Sequence, residues 1–263
     1  MREGRASATA QRVAAQRLTF EREPSPDGDP VADERLSRDV AGEAAVRPGA
    51  PMGRYLAART TFFDRVVVRA LDAGVRQVVV AAAGYDGRAF RYARPGVRWF
   101  EVDHPSTQED KLERVGRLGL DATAISYVGA DFTVDDVAPG LAAAGQDAGS
   151  PTLFLCEGVA VYLDDEVLRS LLASLRARAA AGSRLAISLS VSAGVAGLAE
   201  RRRRFEAAVA ALGEPTRSTL TVEGAAELLR TTGWREVVRP AADPASDAAS
   251  RARTAGLVVL EPS

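Results

Sequence analysis

The stretch Gln77-Val-Val-Val-Ala-Ala-Ala-Gly84-Tyr-Asp86-Gly-Arg88, followed by Phe100-Glu101-Val102-Asp103, limits the possible folds more than any other part of the chain. It reads as a buried strand, a glycine turn, a helix start and a second strand ending in acid. Val78 to Val80 followed by small residues suits a parallel strand covered on both faces. Gly84 permits a sharp turn and leaves room for a ligand to approach the main chain. About 20 residues further on, Asp103 stands where open α/β sheets place the carboxylate that accepts ribose hydroxyls. The combination predicts a nucleoside-containing cofactor at the carboxyl ends of the strands.

The glycines bear on which cofactor. A dinucleotide fingerprint has three, so that a pyrophosphate can sit on a helix N-terminus. This turn offers Gly84 and Gly87, and Asp86 stands where a phosphate would be repelled. A carboxylate there suits a ligand with cationic groups and no phosphate, such as S-adenosylmethionine. The alternative is that Asp86 only caps the following helix.

Composition excludes several classes. A net charge of −1 gives no general attraction to nucleic acid or to an anionic membrane. Of 34 basic residues Lys111 is the only lysine, a bias of genomic rather than binding origin, and the run Arg201 to Arg204 reads as a solvated helix face. Cys156 is the single cysteine and His104 the single histidine, too few for an internal disulfide or a metal site, and nothing pairs them as nucleophile and base. No apolar run approaches the length of a membrane span and the N-terminus has no signal-peptide core, so a soluble cytoplasmic protein is expected.

Residues 1–50 form a polar, proline-punctuated extension with short helices expected over Gln11–Phe20 and Val31–Ala45, either a partial lid or partly disordered. The main domain is expected over 51–263, opening with helices between Met52 and Ala73 that end at Gly74. Strands are expected at Gln77–Ala82, Arg98–Val102, Ile125–Val128, Thr152–Cys156, Arg184–Leu189, Glu236–Arg239 and Gly256–Leu260. Helices are expected at Ala89–Ala93, Ser106–Arg117, Asp135–Ala144, Asp164–Ala180 and Thr221–Thr232. The alternation predicts an α/β fold with a parallel sheet. The segment of about 190–220 has no strand character and reads as a lid inserted after the fifth strand.

Acids fall at four strand ends: Asp86, then Glu101 and Asp103, then Asp131 before Phe132, then Glu157. Ligands bind outside this edge of a parallel sheet, although each acid alone also reads as a helix cap.

Ala58-Arg59-Thr60 with Phe62-Phe63-Asp64, the 77–91 turn segment, Glu101-Val-Asp103-His-Pro105, Gly129-Ala-Asp131-Phe132 and Cys156-Glu157-Gly158-Val-Ala-Val-Tyr162-Leu163 together resemble the leucine carboxyl methyltransferase-like family, from about residue 50 onward. The resemblance implies a Rossmann-like class I methyltransferase sheet with helices on both faces, S-adenosylmethionine as cofactor and methylation of a small-molecule carboxylate, as in bacterial natural-product members. It further implies that Arg59 pairs with the methionine carboxylate near the acceptor, Gly84 gives backbone approach, and Asp103 holds the ribose. Asp131 and Phe132 would hold the adenine, and Glu157 with Asp86 would face the ammonium. Arg88 and Glu101 belong to the same cofactor-binding set, and Tyr162 would sit beside the transferring methyl. Two departures matter: where the family usually has Gly-Ala-Gly-Leu-Asp-Thr-Arg, the first glycine is Ala82 and the threonine is Gly87. Two other readings keep the fold, a cofactor-binding protein that catalyses cyclisation or dehydration and a non-catalytic interaction module.

Overall fold

The computed structural model describes residues 6–42, 51–191, 216–237 and 256–263. The chain divides into two compact units, 1–131 and 132–263.

The first unit opens with three helices, α1 (Ala8–Arg17), α2 (Pro30–Ala41) and α3 (Pro51–Asp72). Ser7 caps α1, its hydroxyl accepting from the Ala10 N–H at 3.1 Å, and Asp29 caps α2 ahead of a proline at the first turn. The apolar spacing from Leu56 to Leu71 forms one continuous helix, ended by Gly74 at φ +88°. Then come β1 (Gln77–Ala81), α4 (Arg88–Arg91), β2 (Arg98–Asp103), α5 (Pro105–Arg117) and β3 (Ile125–Gly129). β2 lies between β1 and β3 and is parallel to both, with Val79 opposite Phe100 and Phe100 opposite Ser126. Val78, Val79, Trp99, Phe100 and Val102 are wholly buried. α1 packs on α2 and α3, while α2 packs on α4 and α5.

The second unit holds α6 (Val137–Ala143), β4 (Thr152–Cys156), a 3₁₀ turn at Ala160–Tyr162, α7 (Asp165–Ala177), β5 (Arg184–Ser188), α8 (Val222–Thr231), β6 (Trp234–Glu236) and β7 (Leu257–Pro262). β4 and β5 are parallel, joined through α7. β7 runs antiparallel to both β5 and β6, a direction that the alternation of elements does not itself specify. Antiparallel neighbours need no crossover helix. β6 begins two residues earlier than its expected start because Trp234 is an anchor: its indole N–H donates to the Leu172 carbonyl at 3.0 Å and its ring meets Phe154 edge-on at 6.1 Å. The centre of the expected lid, 192–215, and with it Arg201 to Arg204, lies outside the described residues.

Candidate functional site

The polypeptide leaves β1 through two left-handed residues, Ala82 at φ +56° and Gly84 at φ +51°, on either side of Ala83. Ala83 keeps contact with β2 by donating its N–H to the Val102 carbonyl at 3.2 Å. The next amide, Gly84 N–H, turns to the end of β2 and donates to Asp103 Oδ2. Asp103 Oδ1 accepts from the His104 N–H at 2.6 Å, so each carboxylate oxygen holds one backbone amide. Burial pushes the Asp103 carboxyl up, and these two N–H groups oppose the shift. The turn and the ribose-type acid predicted from sequence are therefore joined directly. α1 covers the turn from outside, since a Cβ on Gly84 would stand 3.0 Å from the Ala10 methyl.

Beside the turn lies a buried ladder of alternating charge. Asp86 Oδ1 accepts from the Arg88 N–H at 2.8 Å, and its Oδ2 meets Arg88 Nη1 at 2.5 Å and Arg17 Nη2 at 3.2 Å. Arg88 Nε donates to Asp64 at 2.7 Å. Arg22 clasps Asp64 from the other side, with Nε at 2.6 Å and Nη2 at 2.9 Å, and reaches Asp33 at 3.3 Å. Arg91 Nε closes the row on Asp33 at 2.5 Å. Every side chain of the ladder is under 10% exposed. The ladder ties α1, α2 and the segment between them to α3 and α4. Within it Asp86, expected to face a ligand cation, meets Arg17 and Arg88, and Arg88 is wholly buried between Asp64 and Asp86.

Glu101 departs from the strand-end position expected of it. β2 continues to Asp103, which leaves Glu101 inside the strand, 1% exposed, with Oε2 at 2.5 Å from Lys111 Nζ. The same ammonium donates to the Asp86 carbonyl at 2.7 Å.

Arg59 on α3 is 9% exposed, with its guanidinium 5.7 Å from the centre of the Tyr55 ring. Asp131 is half-buried just after Ala130, whose N–H donates to the Asp103 carbonyl at 2.8 Å. In the second unit, Phe132, Glu157 and Tyr162 are each half-buried. Gly158, at φ +73°, turns the chain after Glu157 and donates its N–H to the Ser188 hydroxyl at 2.7 Å. Tyr162 closes the 3₁₀ turn, and the neighbouring Val161 carbonyl accepts from the Arg217 N–H at 2.8 Å. Cys156 is fully buried and its thiol is pushed up to about 12 by burial, so it carries negligible thiolate near pH 7. The His104 ring caps α5, with Nδ1 2.9 Å from the Ser106 hydroxyl.

Sequence reasoning missed Arg17, Arg22, Asp33 and Asp64 as one network and Lys111 as a tie beneath the turn. Only Lys111 carried a usable signal, being the single lysine in an arginine-rich chain.

The donor set suits an adenosyl group: a strand-end carboxylate with lone pairs to spare lies against a turn whose Gly84 has no side chain. Fold and turn define the class, the Rossmann-like S-adenosylmethionine-dependent methyltransferases. A DUF574 family protein from Streptomyces avermitilis matches 98% of this chain and 98% of its own at a TM-score of 0.60 and 18% identity. The magnesium protoporphyrin IX methyltransferase of Synechocystis PCC 6803, solved with bound S-adenosylhomocysteine, matches 86% of this chain and 91% of its own at 0.53 and 14% identity. Both likenesses show the fold. Residues 10–176 match the leucine carboxyl methyltransferase family, and the chain belongs to it. A Mycolicibacterium smegmatis relative is 34% identical across 91% of this chain and 86% of its own length, and a Mycobacterium marinum relative is 39% identical across 68% of this chain. Both bear the name of S-adenosyl-L-methionine-dependent methyltransferases, and that compound is the cofactor of the group. The alignment spans 64% of the M. marinum protein, under two thirds of its length.

Proposed function

We propose that this protein is an S-adenosylmethionine-dependent O-methyltransferase acting on a small-molecule carboxylate, of the kind found in bacterial secondary metabolism. The observation that carries the reading is the Gly84–Asp103 junction. Asp103 keeps free lone pairs on both oxygens after accepting the two amides and can take two ribose hydroxyls. Asp131 and Phe132 are assigned to the adenine, Glu157 to the ammonium and Arg59 to the methionine carboxylate. Asp86, Arg88 and Glu101 hold the turn instead of touching the cofactor, because each carboxylate or guanidinium is committed to a buried partner.

S-adenosylmethionine, when bound, supplies a methyl group already activated by its sulfonium. What remains for the protein is approach and alignment. A carboxylate acceptor is ionised near pH 7 and needs no base. That requirement suits a chain whose only histidine caps a helix and whose only thiol is protonated. Arg59 would orient carboxylates, and Tyr162 would stand on the acceptor side and align its oxygen.

Calorimetric titration with S-adenosylmethionine and S-adenosylhomocysteine tests the cofactor. Micromolar binding is expected, and Asp103→Ala should remove it. Mass spectrometry of acceptor mixtures then tests the chemistry, since transfer adds one methyl and cyclisation or dehydration does not. Absence of binding to either ligand would refute the reading.

A further inference from the structure

The chain has 34 basic residues and uses lysine once, at a position that is 1% exposed. Arginine fills every other cationic position, including the buried ladder beside the turn. At residue 111 the two acceptors are the Asp86 carbonyl at 2.7 Å and Glu101 Oε2 at 2.5 Å. One oxygen belongs to the turn after β1 and the other to the interior of β2. A compact ammonium with three rotatable donors can bond to two oxygens from different elements in a closed space, whereas a planar guanidinium carries three nitrogens in a fixed fork. Glu101 and Asp103 are two residues apart on β2 and share a face. The strand face that presents Asp103 is thereby connected through Glu101 and Lys111 to the backbone two residues past Gly84.

We propose that Lys111 is a positioning residue for cofactor binding: by tying the Asp86 carbonyl to Glu101 it holds the turn in register with β2, so that Gly84 N–H meets Asp103 and the carboxylate is aimed at the ribose. The proposal rests on the cofactor site described above. Lys111 touches no reacting atom. Its charge also opposes the burial that pushes the Glu101 carboxyl up, which is the purely structural role it has to be distinguished from.

Two variants separate the roles. Lys111→Met leaves Glu101 buried without its cation and is expected to lower the melting temperature. The double variant Lys111→Met/Glu101→Gln removes that charge and is expected to recover most of the melting temperature, yet the Asp86 carbonyl remains untied. Lys111→Met/Glu101→Met, an apolar replacement of the buried pair, serves the same purpose where the amide variant folds poorly. Titration with S-adenosylhomocysteine should show affinity at least ten-fold weaker than wild type in the recovered double variant. In parallel, the Gly84 amide proton, placed downfield by its carboxylate acceptor, should move upfield in nitrogen-correlated spectra while distant resonances stay in place. A recovered double variant with wild-type affinity and an unmoved Gly84 resonance would reduce Lys111 to charge neutralisation and overturn the proposal. Failure of the wild-type protein to bind S-adenosylhomocysteine would instead overturn the cofactor reading, and the positioning role would fall with it.

Discussion

Asp33 Oδ1 lies 1.9 Å from the point that a Cβ on Gly87 would occupy. Gly87 has φ −103°, which any residue adopts, so its lack of a side chain answers to space and not to backbone conformation. The carboxylate cannot easily step aside, because Arg91 holds it at 2.5 Å and Arg22 at 3.3 Å. The departure from the family's threonine at this position is thus matched by an acid from α2. Gly87→Thr, which restores the family residue, should cost about 1–3 kcal/mol by overpacking, with further loss if the ladder is broken. Asp33→Ala in the same chain should recover part of it. Urea denaturation of both singles and the double gives the coupling energy, and a value near zero would mean the site accommodates the side chain by other means.

The ladder predicts the response to acid. Asp64 is wholly buried, and burial alone would push its carboxyl up, yet Arg88 and Arg22 hold it below the ordinary carboxylate range. A carboxyl lowered in the folded state contributes stability above its unfolded value, about pH 4, and that contribution is lost as pH falls through the folded value. Arg88→Met leaves Asp64 and Asp86 short of a buried cation and should destabilise the fold by about 3–5 kcal/mol at pH 7. The deficit should shrink as pH falls, because a protonated Asp64 no longer needs the cation that held its carboxyl low, read by urea denaturation of both proteins between about pH 4 and 7. A deficit that stays constant with pH would mean that Asp64 does not contribute through its charge.

What the sequence disclosed was local. Val78 to Val80 and Leu153 to Leu155 marked their strands because a doubly covered strand needs an unbroken apolar run, and both runs proved fully or almost fully buried. Asp103 was legible because a strand of fixed rise brings its last residue to the edge where the preceding turn ends, and the Gly84 N–H meets it there. Partnerships across long separations left no pattern to read. Arg17 meets Asp86 from 69 positions away and Arg22 meets Asp64 from 42, and neither arginine stands out among so many. Of the two cations at Asp86, Arg88 stands two positions away in the sequence, whereas Arg17 is visible only in the fold. An apolar run such as Val258 to Leu260 carries no direction, and only pairing with β5 and β6 makes β7 antiparallel.

Ala82 is the one described non-glycine residue at positive φ, at +56°. The left-handed region costs a residue with a Cβ about 1–2 kcal/mol, and the family pattern has glycine here. Glycine would relieve that cost while adding about 0.5–1 kcal/mol of chain entropy to be lost on folding. Ala82→Gly should therefore leave stability unchanged or raise it by up to about 1.5 kcal/mol. Thermal unfolding decides the matter, and a loss of a full kcal/mol would show that the methyl group contributes packing greater than the strain.

Tyr162 and Arg59 are expected to fail in different ways. Arg59 is buried on α3 and assigned to carboxylate recognition, so Arg59→Ala removes ground-state binding and should weaken cofactor or acceptor affinity. Tyr162 ends a 3₁₀ turn whose backbone is fixed independently, its N–H donating to the Val159 carbonyl at 2.9 Å. Tyr162→Phe keeps the ring and the turn and removes only the hydroxyl. If that hydroxyl aligns the acceptor oxygen, turnover should fall by about ten-fold or more, equivalent to about 1.4 kcal/mol of transition-state stabilisation, while S-adenosylhomocysteine binding stays near wild type. Steady-state kinetics beside calorimetry separates the two quantities. Undiminished turnover in Tyr162→Phe would remove the hydroxyl from the mechanism and leave alignment of the acceptor to Arg59 and the walls of the site.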